Sequence, residues 1–401
     1  MRASASSESS RIGSLRVRLA RRLGMVAGAA LVGLLLLLAV VAGAVWRLGG
    51  QALIAPSFAE TLGWAALALM VAAFGLVLVR LLMLSPPPPA GVWLAPDEAE
   101  ALHYRINEVG RRMGAAPLDG VWITDEMNAA VMQRPRYGWI GPIETHLMIG
   151  LPLVHCLSRR QFLAVLAHEF GHLSMQRRGL GAIGAHLRAW WMRVLDHVSY
   201  LFPAFAGWLD AAASGNYTLR MLRLSRLEEF EADASAARLV GRGLLAEALI
   251  EVSLKDRFLR EDYWPKVLAQ CESSAQPSIR PFREMGLGVA AGFHEVTGMN
   301  AGFCGGAEGD AASLHPTPAE RLRAMRVEAG QTATVGPSAA SHYLSALLPR
   351  LAWIFDRDWW ERSESAWKQA YRLSRSARRR AAREAMGKVD PMPAPIPTQM
   401  V

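Results

Sequence analysis

The chain has 401 residues, 52% of them hydrophobic and 20% charged, a formal net charge of +9, and only 3 cysteines. It is long enough to bury a sizeable core, too apolar for a disordered chain, and too poor in cysteine for a disulfide-framed secreted module. The charge excess does not describe a nucleic-acid-binding face, because it sits at the two ends: residues 1–24 carry +5, residues 371–388 carry +6, and the remainder sums to −2. No nucleic-acid partner is expected; basic tails next to apolar segments suit anionic lipid headgroups or simple solvation.

Two uncharged apolar segments open the chain. Met25 to Trp46 covers 22 residues and Leu62 to Val79 covers 18, ended by Arg80. Each can cross a hydrocarbon core as a helix, and the first is too long, and too closely followed by the second, for a cleaved signal peptide. Arg2, Arg11, Arg16, Arg18, Arg21 and Arg22 precede the first span, whereas the loop from Arg47 to Thr61 carries one Arg. By the positive-inside rule residues 1–24 form a basic cytoplasmic tail, 25–84 two transmembrane helices, and everything after them lies in the cytoplasm. Ser85 and the run Pro86 to Pro89 then read as a stiff linker over 85–91.

After the linker, residues 92–114 read as a helix ending near Gly114. Gly120 to Thr124 and Leu147 to Val154 read as strands, joined by a segment punctuated by Pro135, Gly138, Gly141 and Pro142. Met127 to Met132 would be an edge strand able to pair with an extended peptide. The expected fold class is α+β and mostly helical, with a small sheet packed on the helix that follows.

That helix carries the most informative pattern in the chain. Ser158 reads as its N-cap with Gln161 three residues on, and an apolar run leads to His168-Glu169-Phe170-Gly171-His172. Imidazoles at i and i+4 share one helical face and can reach one metal ion, while the adjacent carboxylate remains free to act as a base toward a water on that ion. His168 and His172 are thus candidate zinc ligands and Glu169 the candidate general base; two buried core histidines are the plainer alternative. A catalytic zinc needs a third protein ligand and an open position for water. The best candidate lies in Ser225 to Ala237, a helix in which Glu229 and Asp233 share a face and small residues at 232, 234, 236 and 237 allow close approach. Glu229 would bind zinc and Asp233 would orient an imidazole, unless the acidic run is a solvated helix face. Cobalt or manganese could occupy the same ligands in vitro.

Between these helices the stretch 182–217 holds Trp190, Trp191, Tyr200, Phe202, Phe205 and Trp208, interrupted by Arg188, Arg193, Asp196 and His197. It reads either as a membrane-interface insert or as a buried helical hairpin. Residues 301–313 form a glycine-rich loop, and 338–384 a Trp-rich helical stretch with Trp353, Trp359, Trp360 and Trp367, best explained by core packing. Cys156, Cys271 and Cys304 have no ligand-like or paired spacing and suit reduced thiols.

His168 to His172, together with Ser225-Arg226-Leu227-Glu228-Glu229-Phe230-Glu231-Ala232-Asp233, resembles the two signatures of the membrane-associated zinc metallopeptidases that include HtpX and the CAAX prenyl endopeptidases. Met127-Asn128-Ala129-Ala130 and His315-Pro316-Thr317-Pro318-Ala319-Glu320-Arg321 resemble two weaker elements of that family. The resemblance covers about residues 95 to 328 and implies a zincin-like metallopeptidase domain over 92–330, followed by a helical extension with a basic tail over 331–401. It implies one zinc per chain, with Glu229 rather than Glu228 or Glu231 as ligand. It implies Asn128 and Ala129 holding substrate backbone, and His315 or Arg321 stabilising the oxyanion or bracing the Glu229 helix. The expected activity is hydrolysis of peptide bonds in membrane or membrane-proximal proteins at the inner membrane of a bacterium, in quality control or processing. A scaffold or chaperone-like protein with little proteolytic activity, and a hydrolase of non-peptide bonds, are the alternatives.

Overall fold

The computed structural model describes residues 2–175, 180–212, 216–292, 315–327 and 336–387. They belong to two compact units, one within 1–252 and 299–344, the other within 253–298 and 345–401. The glycine-rich stretch 301–313 and Cys304 lie outside the described residues. Neither Cys156 nor Cys271 is in a disulfide among the described residues.

The fold is α+β and mostly helical. Helix α1 runs unbroken from Arg2 to Ile54 and α2 from Phe58 to Leu82. Both are long and apolar enough to cross a membrane. The connection is residues 55–57 rather than the wider loop expected at 47–61: α1 continues through Gly49 and Gly50 to Ile54, Pro56 ends it, and Ser57 Oγ then accepts the N–H of Glu60 at 3.3 Å to start α2. A Cβ on Gly75 would sit 3.0 Å from Val41, so α2 lies tightly beside the C-terminal half of α1. The outer faces of this pair expose Leu36, Val40, Leu53, Leu69 and Met70.

The N-terminal half of α1 has a different environment. Leu23, Ala27 and Leu31 are buried in one apolar cluster with Trp190, Trp191, Val194 and Leu195 of α6 (Leu180–Leu201) and with Tyr217 and Leu224 of α8 (Tyr217–Val240). The segment expected as a basic tail is thus a helix continuous with the span, and from about residue 16 onward it is packed. Gly24 permits this: a Cβ there would lie 3.4 Å from the Cα of Gly184 on α6.

Helices α6 and α7 (Pro203–Ala212) make up the aromatic insert. Its cations, which argued against a simple span, donate to main-chain carbonyls of neighbouring elements. Arg188 donates to Ala20 O at 3.1 Å, and Arg193 to Leu84 O at 3.0 Å and Gly138 O at 3.2 Å. Trp190 donates to Leu81 O at 3.1 Å. Tyr200, Phe202, Phe205 and Trp208 instead remain exposed. The proline linker is held too, since Arg134 donates to Pro86 O at 3.1 Å and Gly138 N–H to Ser85 Oγ at 2.7 Å.

The sheet has strand order β1-β2-β4-β3, with β1 Val92–Trp93, β2 Gly120–Thr124, β3 Ala129–Tyr137 and β4 Ile140–Gly150. β2 and β4 are parallel, with Gly120 opposite His146; β3 runs antiparallel to β4, with Ala129 opposite Ile149, and forms an edge. Two expectations are corrected here. Residues 92–93 are a strand, and the helix α3 begins only at Glu100 and ends at Met113 before Gly114 in the left-handed region, because Pro96 interrupts the segment. The strand expected at 147–154 starts earlier, at Ile140, and stops at Gly150, where Pro152 opens the short helix α4 (Leu151–Cys156). Gly138, with φ at +66°, makes the tight turn that turns the supposed connecting segment into a hairpin.

Helix α5 (Arg159–Met175) starts as its sequence promised: Gln161 N–H donates to Ser158 Oγ at 3.4 Å while Gln161 Oε1 accepts the Ser158 N–H at 3.0 Å. It buries Phe162, Leu166 and Phe170 and packs against α8. Helix α9 (Arg242–Phe258) follows α8, and α12 (Pro318–Met325) and α13 (Ala339–Tyr343) complete the first unit. In the second, a π-turn (Leu259–Tyr263), α10 (Trp264–Ala269), a 3-10 turn (Gln270–Glu272), α11 (Pro281–Gly292) and α14 (Leu348–Gly387) enclose an aromatic core. Trp367 is buried, packs edge-on against Trp359 at 6.0 Å and donates to Ser274 O at 3.0 Å. Trp353 alone of the four tryptophans noted in α14 stands more than half exposed, with Arg357 over its ring at 5.2 Å.

A Cβ on Gly171 would meet Ala232 O at 3.0 Å and Ala232 Cα at 3.1 Å. Backbone cannot yield as a side chain can, so Gly171→Leu should force α5 and α8 apart and lower unfolding stability by about 1–3 kcal/mol. Chemical denaturation of the detergent-solubilised protein measures this; an unchanged midpoint would mean that the two helices part freely.

Candidate metal centre

The α5–α8 contact brings one carboxylate onto the two imidazoles. His172 Nε2 lies 3.2 Å from His168 Nε2, His168 Nε2 lies 3.3 Å from Glu229 Oε2, and His172 Nε2 lies 3.6 Å from Glu229 Oε1. A tetrahedral ion with bonds of about 2.0–2.1 Å separates its ligands by about 3.3 Å. Three donors of the N, N, O type already stand at that spacing, and they are the group able to hold a metal ion among the described residues. The acidic run on α8 is no solvated face, since Glu229 is 5% and Asp233 2% exposed.

Around this triangle the contacts lock each donor in place. Asp233 Oδ1 lies 3.0 Å from His168 Nδ1, which fixes the ring and leaves Nε2 directed at the other ligands. Arg321 of α12 grips Asp233 in turn with two bonds, Nε to Oδ2 at 2.8 Å and a terminal nitrogen to Oδ1 at 2.6 Å, and reaches within 3.5 Å of Glu229 Oε2. His315 Nδ1 sits 2.9 Å from Glu229 Oε1 and its side chain is largely exposed.

Two positioning elements were not recognised from the sequence. Arg226, one helical turn before Glu229, donates to both carboxylate oxygens of Glu320 at 2.8 Å and to His315 O at 3.2 Å. Thr317 and Glu320 form a capping box at the start of α12. The Thr-Pro-Ala-Glu spacing was the signal for the second; Arg226 gave none, because its partner lies 94 residues away in sequence.

The electrostatics favour a cation. Burial opposes charge on all of these groups, yet hydrogen bonds to Asp233 and Glu229 overcome it and raise His168 to about 9. Against the same burial, hydrogen bonds from His168 and His315 hold Glu229 well below the carboxylate range, and those from Arg321 and His168 lower Asp233. His172 is pushed down to about 4 by burial and by the charge on His168, keeping that imidazole neutral. Burial, reinforced by Glu229, raises Glu169 to about 7, while it accepts a hydrogen bond from the Val131 backbone. The ionised Glu229 and the neutral imidazole of His172 converge with His168 where a divalent ion would sit, the ionised Asp233 stands behind His168, and beside them lies a carboxyl group suited to trading a proton near neutral pH.

The site opens into a cleft of about 500 Å³ lined by Asn128, Ala129, Ala130, Glu169, His315 and Arg321, with Leu153, Val165, Leu245, Ala248 and Val252 as an apolar wall. Every residue singled out in the sequence for the site borders it, except Asp233, which stands behind His168. Asn128 O accepts the Gly150 N–H at 2.7 Å, so residues 128 and 130 turn their main chain toward β4. By ladder alternation Ala129 and Val131 turn theirs outward. Val131 meets Glu169, and Ala129 faces the cleft.

Asp233→Asn should weaken zinc binding by about 10- to 100-fold while leaving α5 and α8 in place. Chelator competition measures the affinity and far-UV circular dichroism the helices; undiminished affinity would remove Asp233 from the site. Arg226→Ala should release the His315 segment and lower peptide cleavage more than zinc affinity, read from both assays on one preparation.

A sequence model of peptidase family M48 matches residues 100–329, more than half of the chain. A protease HtpX homologue of Pyrococcus abyssi (strain GE5 / Orsay) is 27% identical over 177 residues, 40% of this chain and 59% of the relative. The chain thus spans less than two thirds of that relative's length. No solved structure matches. With the paired histidines, the buried Glu229 and the cleft they share lying inside the matched segment, the chain belongs to peptidase family M48.

Proposed function

We propose that the protein is a membrane-anchored, zinc-dependent endopeptidase. The observation that carries this reading is the ligand triangle with edges of 3.2–3.6 Å beside the buried Glu169, at the edge of an open strand. Zinc is the ion that best suits two imidazoles and a carboxylate in tetrahedral spacing. His168, His172 and Glu229 would hold it; when bound it would lower the pKa of water and polarise a carbonyl.

The remaining steps belong to the chain's own groups. An extended substrate would pair with the outward main chain of Ala129, as a strand added to the sheet, with the Asn128 side chain beside it. Apolar substrate side chains would fit the wall of Leu153, Val165, Leu245, Ala248 and Val252. Glu169, held by Val131 N–H, takes the proton of the attacking water and passes it to the leaving amine nitrogen. His315, whose Nδ1 lies against Glu229, would donate its other ring N–H to the developing oxyanion. Arg321, committed to Asp233 by two bonds, acts by positioning.

Membrane anchoring is supported by the exposed apolar faces of α1 and α2, which water would not tolerate at that extent. The Arg-rich start of α1 supports a cytoplasmic position for the peptidase by the positive-inside rule, where membrane and membrane-proximal proteins would be its substrates.

Purified wild type and Glu169→Gln, at matched zinc content, are compared on casein and on a detergent-solubilised membrane protein. Wild type should cleave; the variant should keep its zinc and lose about 10²- to 10⁴-fold in rate. If the variant cleaves like wild type, the assigned base is wrong. If neither cleaves with zinc bound, a scaffold role takes its place.

A further inference from the structure

Four carboxylates, Glu228, Glu229, Glu231 and Asp233, crowd two turns of α8, with Glu229 and Asp233 buried and Glu228 and Glu231 partly buried. Glu229 and Asp233 face α5 and α12, where His168 and Arg321 answer their charge. Helical periodicity turns Glu228 and Glu231 the other way, and their counter-charges come from elsewhere. Arg188 of α6 lies 3.8 Å from Glu228. Arg16 of α1 lies 2.5 Å from Glu231, with both contacting atoms closed to solvent.

The Arg16 contact belongs to a built joint. Arg188 also donates to Ala20 O at 3.1 Å, and Tyr217 at the start of α8 donates to Leu23 O at 3.4 Å. Leu23, Ala27 and Leu31 fill the apolar space between α1, α6 and α8. Helix length explains why α1 can do this and still anchor. Its 53 residues span about 80 Å at about 1.5 Å each, against a hydrocarbon core of about 30 Å. Only the half beside α2, at the level of Val41 and Gly75, is used by the apolar hairpin.

We propose that Arg16 is a positioning residue for the metal centre: through Glu231 it sets the placement of α8, and so of Glu229, making the proximal half of the anchor helix a working part of the peptidase. This rests on Glu229 being a zinc ligand. A charge left unpaired at Glu231, two residues from that ligand, would pull α8 toward water and open the ligand triangle. The anchor is then not a detachable tether, and displacement of α1 is transmitted along a rigid helix to the zinc ligand.

The test uses the full-length protein in detergent and zinc alone as the probe. Arg16→Glu should weaken zinc affinity roughly 10-fold or more and lower kcat at limiting zinc, with kcat recovering when zinc is in excess. Arg16→Lys, which keeps the charge and the fold, should lose no more than about 3-fold, and the reversed pair Arg16→Glu with Glu231→Arg should recover most of the affinity lost by either single change. A mere folding defect would instead show as lost far-UV circular dichroism and a lowered denaturation midpoint in the zinc-free protein, which the positioning role leaves near wild type. Folded Arg16→Glu protein with wild-type zinc affinity overturns the proposal, as does a reversed pair no better than the singles. His168→Ala separates the two readings: if it loses zinc while Arg16→Glu does not, only the positioning role fails, and if it keeps zinc both fail.

Discussion

The approach of α5 to α8 is the constraint on which the rest of the molecule depends. Two imidazoles one turn apart can always face one way, but the third donor must arrive from another helix to within about 3.3 Å. That demands backbone contact, and Gly171 against Ala232 supplies it. Any side chain at 171 would place a steric obstacle between the histidines and Glu229. The glycine sits inside the pattern of the histidines themselves, so the residue that admits the second helix travels with the ligands that need it.

Convergence of this kind concentrates negative charge, and much of the surrounding structure answers that charge. Arg321 neutralises Asp233, His168 and His315 face Glu229, Arg226 holds the segment that delivers His315, and Arg188 and Arg16 lie against the far side of α8. These contacts join α1, α6, α5 and α12 onto one helix. Each buried ion pair adds little net stability by itself; their shared effect is to fix α8 in rotation and height. Fixing that helix is what a tetrahedral site requires, because an error of even 1 Å would spoil its ligand spacing.

Local patterns explain which parts could be read without coordinates. The Ser158 cap, the i and i+4 histidines, the Glu229–Asp233 face and the small residues opposite them are all short-range signals, and the structure brings the side chains they point to together between α5 and α8. The elements misplaced in the sequence were set by turns or by distant partners. Gly138 could end a loop or close a hairpin, and only the pairing of Tyr137 with Ile140 on either side of it decides; Val92 and Trp93 become a strand because β2 lies beside them. Arg16 looked like topology charge, one of six arginines before a span. Its ion pair with Glu231 crosses 215 positions of sequence and could not be inferred from composition.

The aromatic insert shows how the same residues can serve two surroundings. Trp190 and Trp191 are buried against α1 and the end of α2, while Tyr200, Phe202, Phe205 and Trp208 remain open. Arg188 and Arg193, which looked unsuited to an apolar setting, are directed at the carbonyls of Ala20 within α1, of Leu84 just past the end of α2, and of Gly138 in the β3–β4 turn, so each guanidinium is answered by main-chain acceptors. Since Leu84 closes the second apolar helix and Gly138 closes the β3–β4 hairpin, Arg193 ties the end of the apolar hairpin to the sheet whose edge borders the cleft. The cleft therefore has a fixed height relative to that hairpin, set by two hydrogen bonds at its base and by α1 along its side.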